Sequence, residues 1–151
     1  MSPFRFAVIT MSDSGARGLR EDTSGEALKL LFSDNGYQLC HYAIVADRIE
    51  PIVEAVLEAI ETQGADLVLT TGGTGVSPTD VTPEAMDLLF EKEVPGMAEA
   101  MRAASLSITP KAVISRGRAG IRGQSLIVNL PGSRKGALEN ISVLLPALEH
   151  A

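Results

Sequence analysis

The segment 67–85 constrains this chain most strongly, because it joins a strand pattern to a helix start through a glycine-rich turn. An apolar run ends in small residues at Thr71, which is typical of a buried β-strand. Three of the next four residues are glycines, which adopt positive φ and let a backbone approach a ligand closely. Asp80 follows, and Thr82-Pro83 is typical of an N-cap with proline at the first helical position. Open α/β sheets bind ligands at such turns, although a tight connection without a ligand is the alternative.

The rest of the chain alternates between strand-like and helical patterns. We expect strands over residues 4–10, 37–45, 66–71, 112–115 and 125–130, with 117–123 as a loop or hairpin-like turn. We expect helices that begin at Thr23, near Pro51, at Pro83 and at Pro95, and a last helix after Ser133. This alternation predicts a three-layer α/β/α sandwich with a mostly parallel sheet. The length of 151 residues fits one domain, 1–151.

Composition narrows the functional classes. A formal net charge of −6 argues against general nucleic-acid binding. Cys40 is the single cysteine, so no internal disulfide can form, and this fits a reducing compartment. No apolar run reaches the length of a membrane span, and no signal-peptide pattern precedes the first strand. We therefore expect a cytoplasmic protein with no nucleic-acid or membrane partner.

Three aspartates follow predicted strands: Asp13, Asp47 and Asp80. If the strands are parallel, the loops that carry them lie at one edge of the sheet. Carboxylates that converge there suit Mg²⁺, which prefers oxygen ligands and keeps several waters. The alternative for each is a helix cap. That alternative is weak for Asp47, because it would place Pro51 where an N–H should make the first helical bond. It is also weak for Asp80, because Thr82 can cap the next helix and no cap from Asp80 is needed.

Six basic residues and no acidic residue lie between positions 111 and 138, in a chain that is acidic overall. Two of them, Arg134 and Lys135, fall in the first turn of the last predicted helix, where the helix dipole disfavours cations. A bound phosphate would reverse that penalty, whereas two solvated side chains are the alternative. We expect a phosphate-binding edge that is basic and lined by glycines, opposite the acidic one.

The sequence lacks the motifs of several common nucleotide-binding, catalytic and zinc-binding sites. Neither G-x-x-x-x-G-K-[ST] nor G-x-G-x-x-G occurs. The two histidines, His41 and His150, are far apart, so we expect neither a Ser-His-Asp triad nor a zinc cluster. Phosphates held beside a metal ion explain the pattern best, and phosphoryl or nucleotidyl transfer needs that pairing.

At this point the motifs resemble those of the MoaB/Mog family, which includes molybdopterin adenylyltransferases and gephyrin-type G domains. The resemblance covers nearly the whole chain. Its centre is Thr71-Gly72-Gly73-Thr74-Gly75 followed by Asp80-Val81-Thr82-Pro83-Glu84-Ala85. The further matches are Ser12-Asp13, Asp22-Thr23-Ser24-Gly25, Val94-Pro95-Gly96, Ile114-Ser115-Arg116, the segment 119–123 and Asn129-Leu130-Pro131-Gly132. One departure is Thr79, where the family often has arginine.

The resemblance implies a homotrimeric, cytoplasmic enzyme of molybdenum cofactor biosynthesis that transfers AMP from Mg-ATP to molybdopterin and releases pyrophosphate. It also implies a partner, a molybdenum insertase, that acts on the adenylylated product. By position, Asp47 and Asp80 match the catalytic aspartates, and we expect them to hold Mg²⁺. The implied molybdopterin- and nucleotide-binding residues are Ser12, Asp13, Thr71, Gly72, Gly73, Thr74, Gly75, Ser115, Arg116, Pro131, Gly132 and Ser133. A family member that binds molybdopterin without adenylylating it is the alternative.

Overall fold

Six strands and six α-helices make up the described part of the chain. The computed structural model describes residues 4–18 and 21–148, so His150 lies outside the described residues. The strands are β1 (Arg5–Met11), β2 (Gln38–Val45), β3 (Leu67–Thr71), β4 (Lys92–Glu93), β5 (Ala119–Arg122) and β6 (Ser125–Leu130). The helices are α1 (Asp13–Ala16), α2 (Thr23–Asp34), α3 (Ile49–Leu57), α4 (Thr82–Met86), α5 (Pro95–Leu106) and α6 (Arg134–Leu148). A π-helical turn (Glu58–Thr62) extends α3, and a 3-10 helix (Pro110–Ile114) follows α5.

One sheet contains all six strands, in the order β2-β1-β3-β6-β5-β4. The first four strands in this order are parallel, whereas β5 is antiparallel to β6 and β4 is antiparallel to β5. The expectation of a mostly parallel sheet is therefore confirmed. The carboxyl ends of β1, β2, β3 and β6 all point to the same edge of the sheet.

Helices cover both faces of this sheet, which confirms the three-layer sandwich. Successive side chains of a strand point to opposite faces. Phe6 and Val8 of β1 accordingly join a core that includes α2, α5 and α6. Ala7 and Ile9 join the other core, which contains α3 and α4. Within the described residues, no helix is both long and apolar enough to cross a membrane.

The region between α5 and β6 differs from the expectation. The strand expected over 112–115 is wrong, because Pro110–Ile114 form a 3-10 helix. Thr109 caps this helix by accepting a hydrogen bond from the Lys111 N–H, and Pro110 supplies a fixed φ at its start. The next strand is β5, within the segment expected to be a loop or hairpin-like turn, and it pairs with both β6 and the short β4.

One helix start matches the expectation and another differs by one residue. α2 begins at Thr23 as expected, and Asp22 is its N-cap, because the Asp22 carboxylate accepts a hydrogen bond from Gly25 N at 2.9 Å. α4 begins at Thr82, one residue before the expected Pro83, and its N-cap is Val81. Thr82 is fully buried and donates its hydroxyl to the Gly72 carbonyl at 3.0 Å, so it fastens the glycine turn. Asp47 lies before α3, in the loop where we expected it.

Candidate active site at the carboxyl edge of the sheet

The carboxyl ends of the parallel strands surround a cavity of about 490 Å³. The three aspartates expected to converge do so, since all of them line this cavity. The expected site residues that line it are Ser12, Asp13, Asp47, Thr71, Gly72, Gly73, Asp80, Gly132 and Ser133. They come from four separate loops, and the parallel register of the strands brings these loops together.

The glycine turn after β3 is closely packed and needs glycine. Gly72 and Gly73 have φ values of +105° and +69°, which side chains rarely adopt. A Cβ atom on Gly72 would also lie 2.6 Å from the Met11 carbonyl oxygen. The backbone N–H groups of Gly73, Thr74 and Gly75 donate to no acceptor among the described residues. Successive N–H groups of this kind are suited to bind phosphate oxygens.

Asp47 is fixed by Asp13 on the neighbouring loop. Asp47 N donates to Asp13 Oδ1 at 2.9 Å, and Asp13 N donates to Asp47 Oδ2 at 3.2 Å. Burial raises the pKa of Asp47, the hydrogen bond from Asp13 N lowers it, and the nearby Asp13 and Asp80 carboxylates raise it again. Asp47 therefore lies in a region of concentrated negative charge, which a cation would relieve.

Asp80 is held on the other side of the glycine turn. Its Oδ2 accepts a hydrogen bond from Ser77 N at 3.0 Å, and Asp80 N donates to Ser77 O at 3.0 Å. Gly75 packs against this carboxylate, since a Cβ atom there would lie 2.7 Å from Asp80 Oδ2. Asp80 Oδ1 makes no hydrogen bond within the described residues. The fold therefore fixes the position of the carboxylate and leaves one oxygen available to a ligand.

A second cavity of about 280 Å³ lies on the other side of the glycine turn. The expected site residues that line it are Thr74, Gly75, Ser115, Pro131 and Ser133. Ser133 lines both cavities, so the turn and the loop after β6 together separate them. Apart from Arg116, which lines a third cavity, the expected binding residues thus line two adjoining cavities and not one.

The basic side chains of the segment 111–138 are largely paired with carboxylates, in contrast to the expected basic edge. Arg116 pairs with Glu84 at 2.6 Å, and Arg118 pairs with Asp87 at 2.7 Å and Glu93 at 2.6 Å. These carboxylates lie 25 to 32 residues away in the sequence, so the local charge pattern could not reveal them. The expected contact of Arg116 with a ligand stays a prediction.

Sequence reasoning missed the contribution of the α2 start to the larger cavity. Asp22 and Ser24 line this cavity. Asp22 accepts hydrogen bonds from the hydroxyls of Thr10 and Tyr42, and burial followed by this hydrogen bond raises the pKa of Tyr42. Ser24 shares a hydrogen bond of 2.8 Å with the Thr71 hydroxyl, which donates to Pro131 O. The motif match at 22–25 is the available signal, but taken alone it indicates only a helix start.

Asp47 and Asp80 are the expected metal ligands at this edge, and they could hold a metal ion only with further ligands from outside the protein. Within the described residues, no group of three or more His, Cys, Asp or Glu side chains is placed to hold a metal ion. Asp47 and Asp80 therefore suit a cation that takes few protein ligands and completes its shell with water and phosphate oxygens. Mg²⁺ is such a cation.

Comparisons with known proteins show the family to which this chain is similar. Residues 7–150 match the family described as a probable molybdopterin binding domain. The chain is 39% identical to a molybdopterin adenylyltransferase of Helicobacter pylori, and the match covers 99% of this chain and 86% of that protein. It is 40% identical to a molybdopterin adenylyltransferase of Pyrococcus furiosus, with 97% and 88% covered.

A solved structure has the same fold. The molybdopterin biosynthesis enzyme MoaB from Thermus thermophilus superimposes with a TM-score of 0.91 at 45% identity, and 97% of this chain and 92% of that chain are covered. The chain is also 41% identical to Dictyostelium discoideum gephyrin, but it spans only 21% of that protein.

Proposed function

The chain belongs to the molybdopterin-binding domain family, and from this premise we propose that it is a molybdopterin adenylyltransferase of molybdenum cofactor biosynthesis. Its substrates are ATP and molybdopterin, and its products are adenylyl-molybdopterin and pyrophosphate. One observation carries the proposal: Asp47 and Asp80 line one cavity and flank a glycine turn whose N–H groups, from Gly73 to Gly75, donate to no acceptor among the described residues. That arrangement combines phosphate binding with carboxylates that can hold a metal ion.

The residues of the larger cavity fit Mg²⁺. Asp47 and Asp80 supply carboxylate oxygens, which Mg²⁺ prefers, and the raised pKa of Asp47 reflects burial and two neighbouring carboxylates. Asp47 and Asp80 would hold the ion, directly or through water. When bound, the ion would neutralise charge on the phosphates of ATP as the transfer proceeds. The described side chains that line this cavity include five carboxylates, from Asp13, Glu21, Asp22, Asp47 and Asp80, and no basic group.

The transfer itself requires positioning more than covalent chemistry by the protein. A terminal phosphate oxygen of molybdopterin attacks the α-phosphorus of ATP in line, and the bond from that phosphorus to the departing pyrophosphate breaks. The attacking phosphate is already ionised, so no general base is needed. The N–H groups of Gly73, Thr74 and Gly75 orient the phosphates between the two cavities. The second cavity offers hydroxyl, amide and ammonium groups, from Ser105, Thr109, Asn140 and Lys111, to a polar ring system such as the pterin.

We place the protein in the cytoplasm as a homotrimer that delivers its product to a molybdenum insertase. An interface between subunits is supported by four exposed apolar side chains that lie close together in the sequence, which we call the 106–114 patch: Leu106, Ile108, Val113 and Ile114. Exposed apolar patches of this kind mark protein interfaces. Ile114 also lines the second cavity, so a neighbouring subunit docked here would lie beside the site.

A pyrophosphate-release assay with Mg-ATP and molybdopterin tests the proposal. We expect the wild type to release pyrophosphate only when both substrates are present. Asp47→Ala and Asp80→Ala should each abolish turnover while they leave a folded trimer and much of the molybdopterin affinity. Asp34→Ala, at the exposed end of α2, is the matched control and should retain activity. A wild type that binds molybdopterin but releases no pyrophosphate would instead identify a non-catalytic binding protein.

A further inference from the structure

Arg116 follows the 3-10 helix and lies beside the loop that carries Asp80. Its backbone N–H donates to Thr74 O at 2.8 Å. Its guanidinium donates from Nε to Gly75 O at 2.7 Å and from Nη2 to Asp80 O at 2.7 Å. Arg116 therefore contacts the first residues of the loop and its last residue, and it bridges the two ends of the segment 74–80.

Glu84 completes this bridge. The Glu84 carboxylate accepts hydrogen bonds from Arg116 Nη1 at 2.6 Å and Nη2 at 3.2 Å, which is a bidentate pair. This pairing lowers the pKa of Glu84 and raises that of Arg116. Glu84 lies in the first turn of α4, directly after the loop. The guanidinium is thus anchored to a helix while it holds two loop carbonyls.

The inner side of the same loop is fixed by Asp80 itself, through the paired hydrogen bonds with Ser77. The loop is therefore held from within by the Asp80 carboxylate and from outside by Arg116. A loop held at both ends in this way keeps the Asp80 carboxylate against Gly75. Every nitrogen of the Arg116 guanidinium already donates to the loop or to Glu84, which leaves the side chain poorly placed to bind a substrate phosphate.

We propose that Arg116, anchored by Glu84, is a positioning residue that acts through the segment 74–80 to hold Asp80 in its catalytic place. The inference rests on the proposed adenylyltransferase function. It reassigns a cation that the motif pattern places among the ligand-binding residues. The side chains of Arg116 and Glu84 are 37% and 45% exposed, so their ion pair contributes little to global stability. Loss of the pair should consequently loosen the loop and leave the fold intact.

The test compares Arg116→Lys, Arg116→Ala and Glu84→Gln with Arg122→Lys and Arg122→Ala. Arg122 is a partly exposed arginine that contacts Leu89 O and Glu61 and not the loop, so its variants are matched controls. For Arg116→Ala we expect kcat to fall about 100-fold, as for a catalytic group misplaced by about 1 Å, with KM for molybdopterin changed by less than about threefold. Arg116→Lys and Glu84→Gln should fall between Arg116→Ala and the wild type. The midpoint of thermal unfolding should shift by less than about 4 °C.

Two further measurements separate positioning from phosphate binding. Mn²⁺ binding in the presence of α,β-methylene ATP, followed by electron paramagnetic resonance, should weaken several-fold in the Arg116 variants because Asp80 is displaced. Amide hydrogen exchange over 76–80 should become faster in these variants and not in the Arg122 variants. A raised KM for molybdopterin with unchanged Mn²⁺ binding and unchanged exchange would overturn the inference and make Arg116 a phosphate ligand. If the wild type releases no pyrophosphate, the proposed function fails, yet the exchange measurement still decides whether Arg116 holds the loop.

Discussion

Gly75→Ala tests whether the placement of Asp80 limits the reaction. The φ of Gly75 is not positive, so alanine meets no backbone strain there. The new Cβ atom would lie 2.7 Å from Asp80 Oδ2, and the carboxylate must move by about 0.7 Å to restore an ordinary contact of 3.4 Å. The substitution therefore acts on the carboxylate and not on the backbone.

The magnitude follows from the displacement. A catalytic group misplaced by 1 Å can cost about 100-fold in rate, so we expect kcat to fall roughly 10- to 100-fold, or about 1.4–2.7 kcal/mol in the activation free energy. The free energy of unfolding should rise slightly or stay the same. Alanine in place of glycine at a compatible position stabilises a protein by about 0.4–1 kcal/mol, because it restricts the unfolded chain. A protein that is as stable as the wild type and much less active is the expected result.

The measurements are pyrophosphate release at saturating substrates and urea unfolding of the same preparations. Gly96→Ala is the matched control, since Gly96 lies in the first turn of α5, has no positive φ, and has open space where an alanine Cβ would lie. The control should keep full activity. Wild-type kcat in Gly75→Ala would refute the assignment of Asp80, because the carboxylate cannot remain where it is beside an alanine. A large loss of stability would instead refute the geometry of the turn.

Three further predictions concern other parts of the molecule. Asp13→Asn removes a charge that raises the pKa of Asp47. The asparagine amide oxygen can still accept the hydrogen bond from Asp47 N, so Asp47 should ionise at lower pH. The acidic limb of the kcat/KM profile at fixed Mg²⁺ should move to lower pH, and a shift to higher pH would contradict the charge argument. Val113→Glu in the 106–114 patch should convert the trimer to smaller species in light scattering, whereas Leu30→Glu on α2, whose leucine is 64% exposed, should not; an intact trimer in both variants places the interface elsewhere. Thr71→Val removes a buried hydroxyl that donates to a carbonyl of the loop after β6, and should lower the free energy of unfolding by about 1–3 kcal/mol in urea. Thr71→Ser should retain most of the wild-type free energy of unfolding. A valine variant as stable as the wild type would show that this hydrogen bond contributes nothing to stability.

The convergence of the three aspartates could be predicted because it depends only on strand direction. Once β1, β2 and β3 are parallel, Asp13, Asp47 and Asp80 must follow strand ends at one edge. The glycine turn was predictable for a similar local reason, since three glycines in four residues mark a backbone that needs positive φ or close contact. Both inferences use information carried by neighbouring residues and by the order of the elements.

The roles of individual cations could not be predicted in this way. Arg116 and Arg118 lie in a segment without acidic residues, but their partners come from the chain between β3 and β5. Ion pairing over such sequence distances depends on the tertiary fold, which a local charge count does not contain. The 3-10 helix at Pro110–Ile114 was missed for a different reason. Four apolar or small residues at 112–115 fit a strand and a short helix equally well, and the local signals for a helix, the Thr109 cap and Pro110, lie just before them.

The neutralised arginines change how the larger cavity must handle its substrates. Two of the cations expected to oppose the acidic edge are paired with carboxylates outside the cavity, and the described lining side chains carry negative charge only. A nucleotide with several negative charges would be repelled by Asp13, Asp47 and Asp80 unless a cation accompanied it. The N–H groups of the glycine turn supply partial positive charge but no net charge. Under the proposed function, charge compensation at this site would therefore depend on a bound metal ion far more than on arginine, and ATP should enter as its magnesium complex.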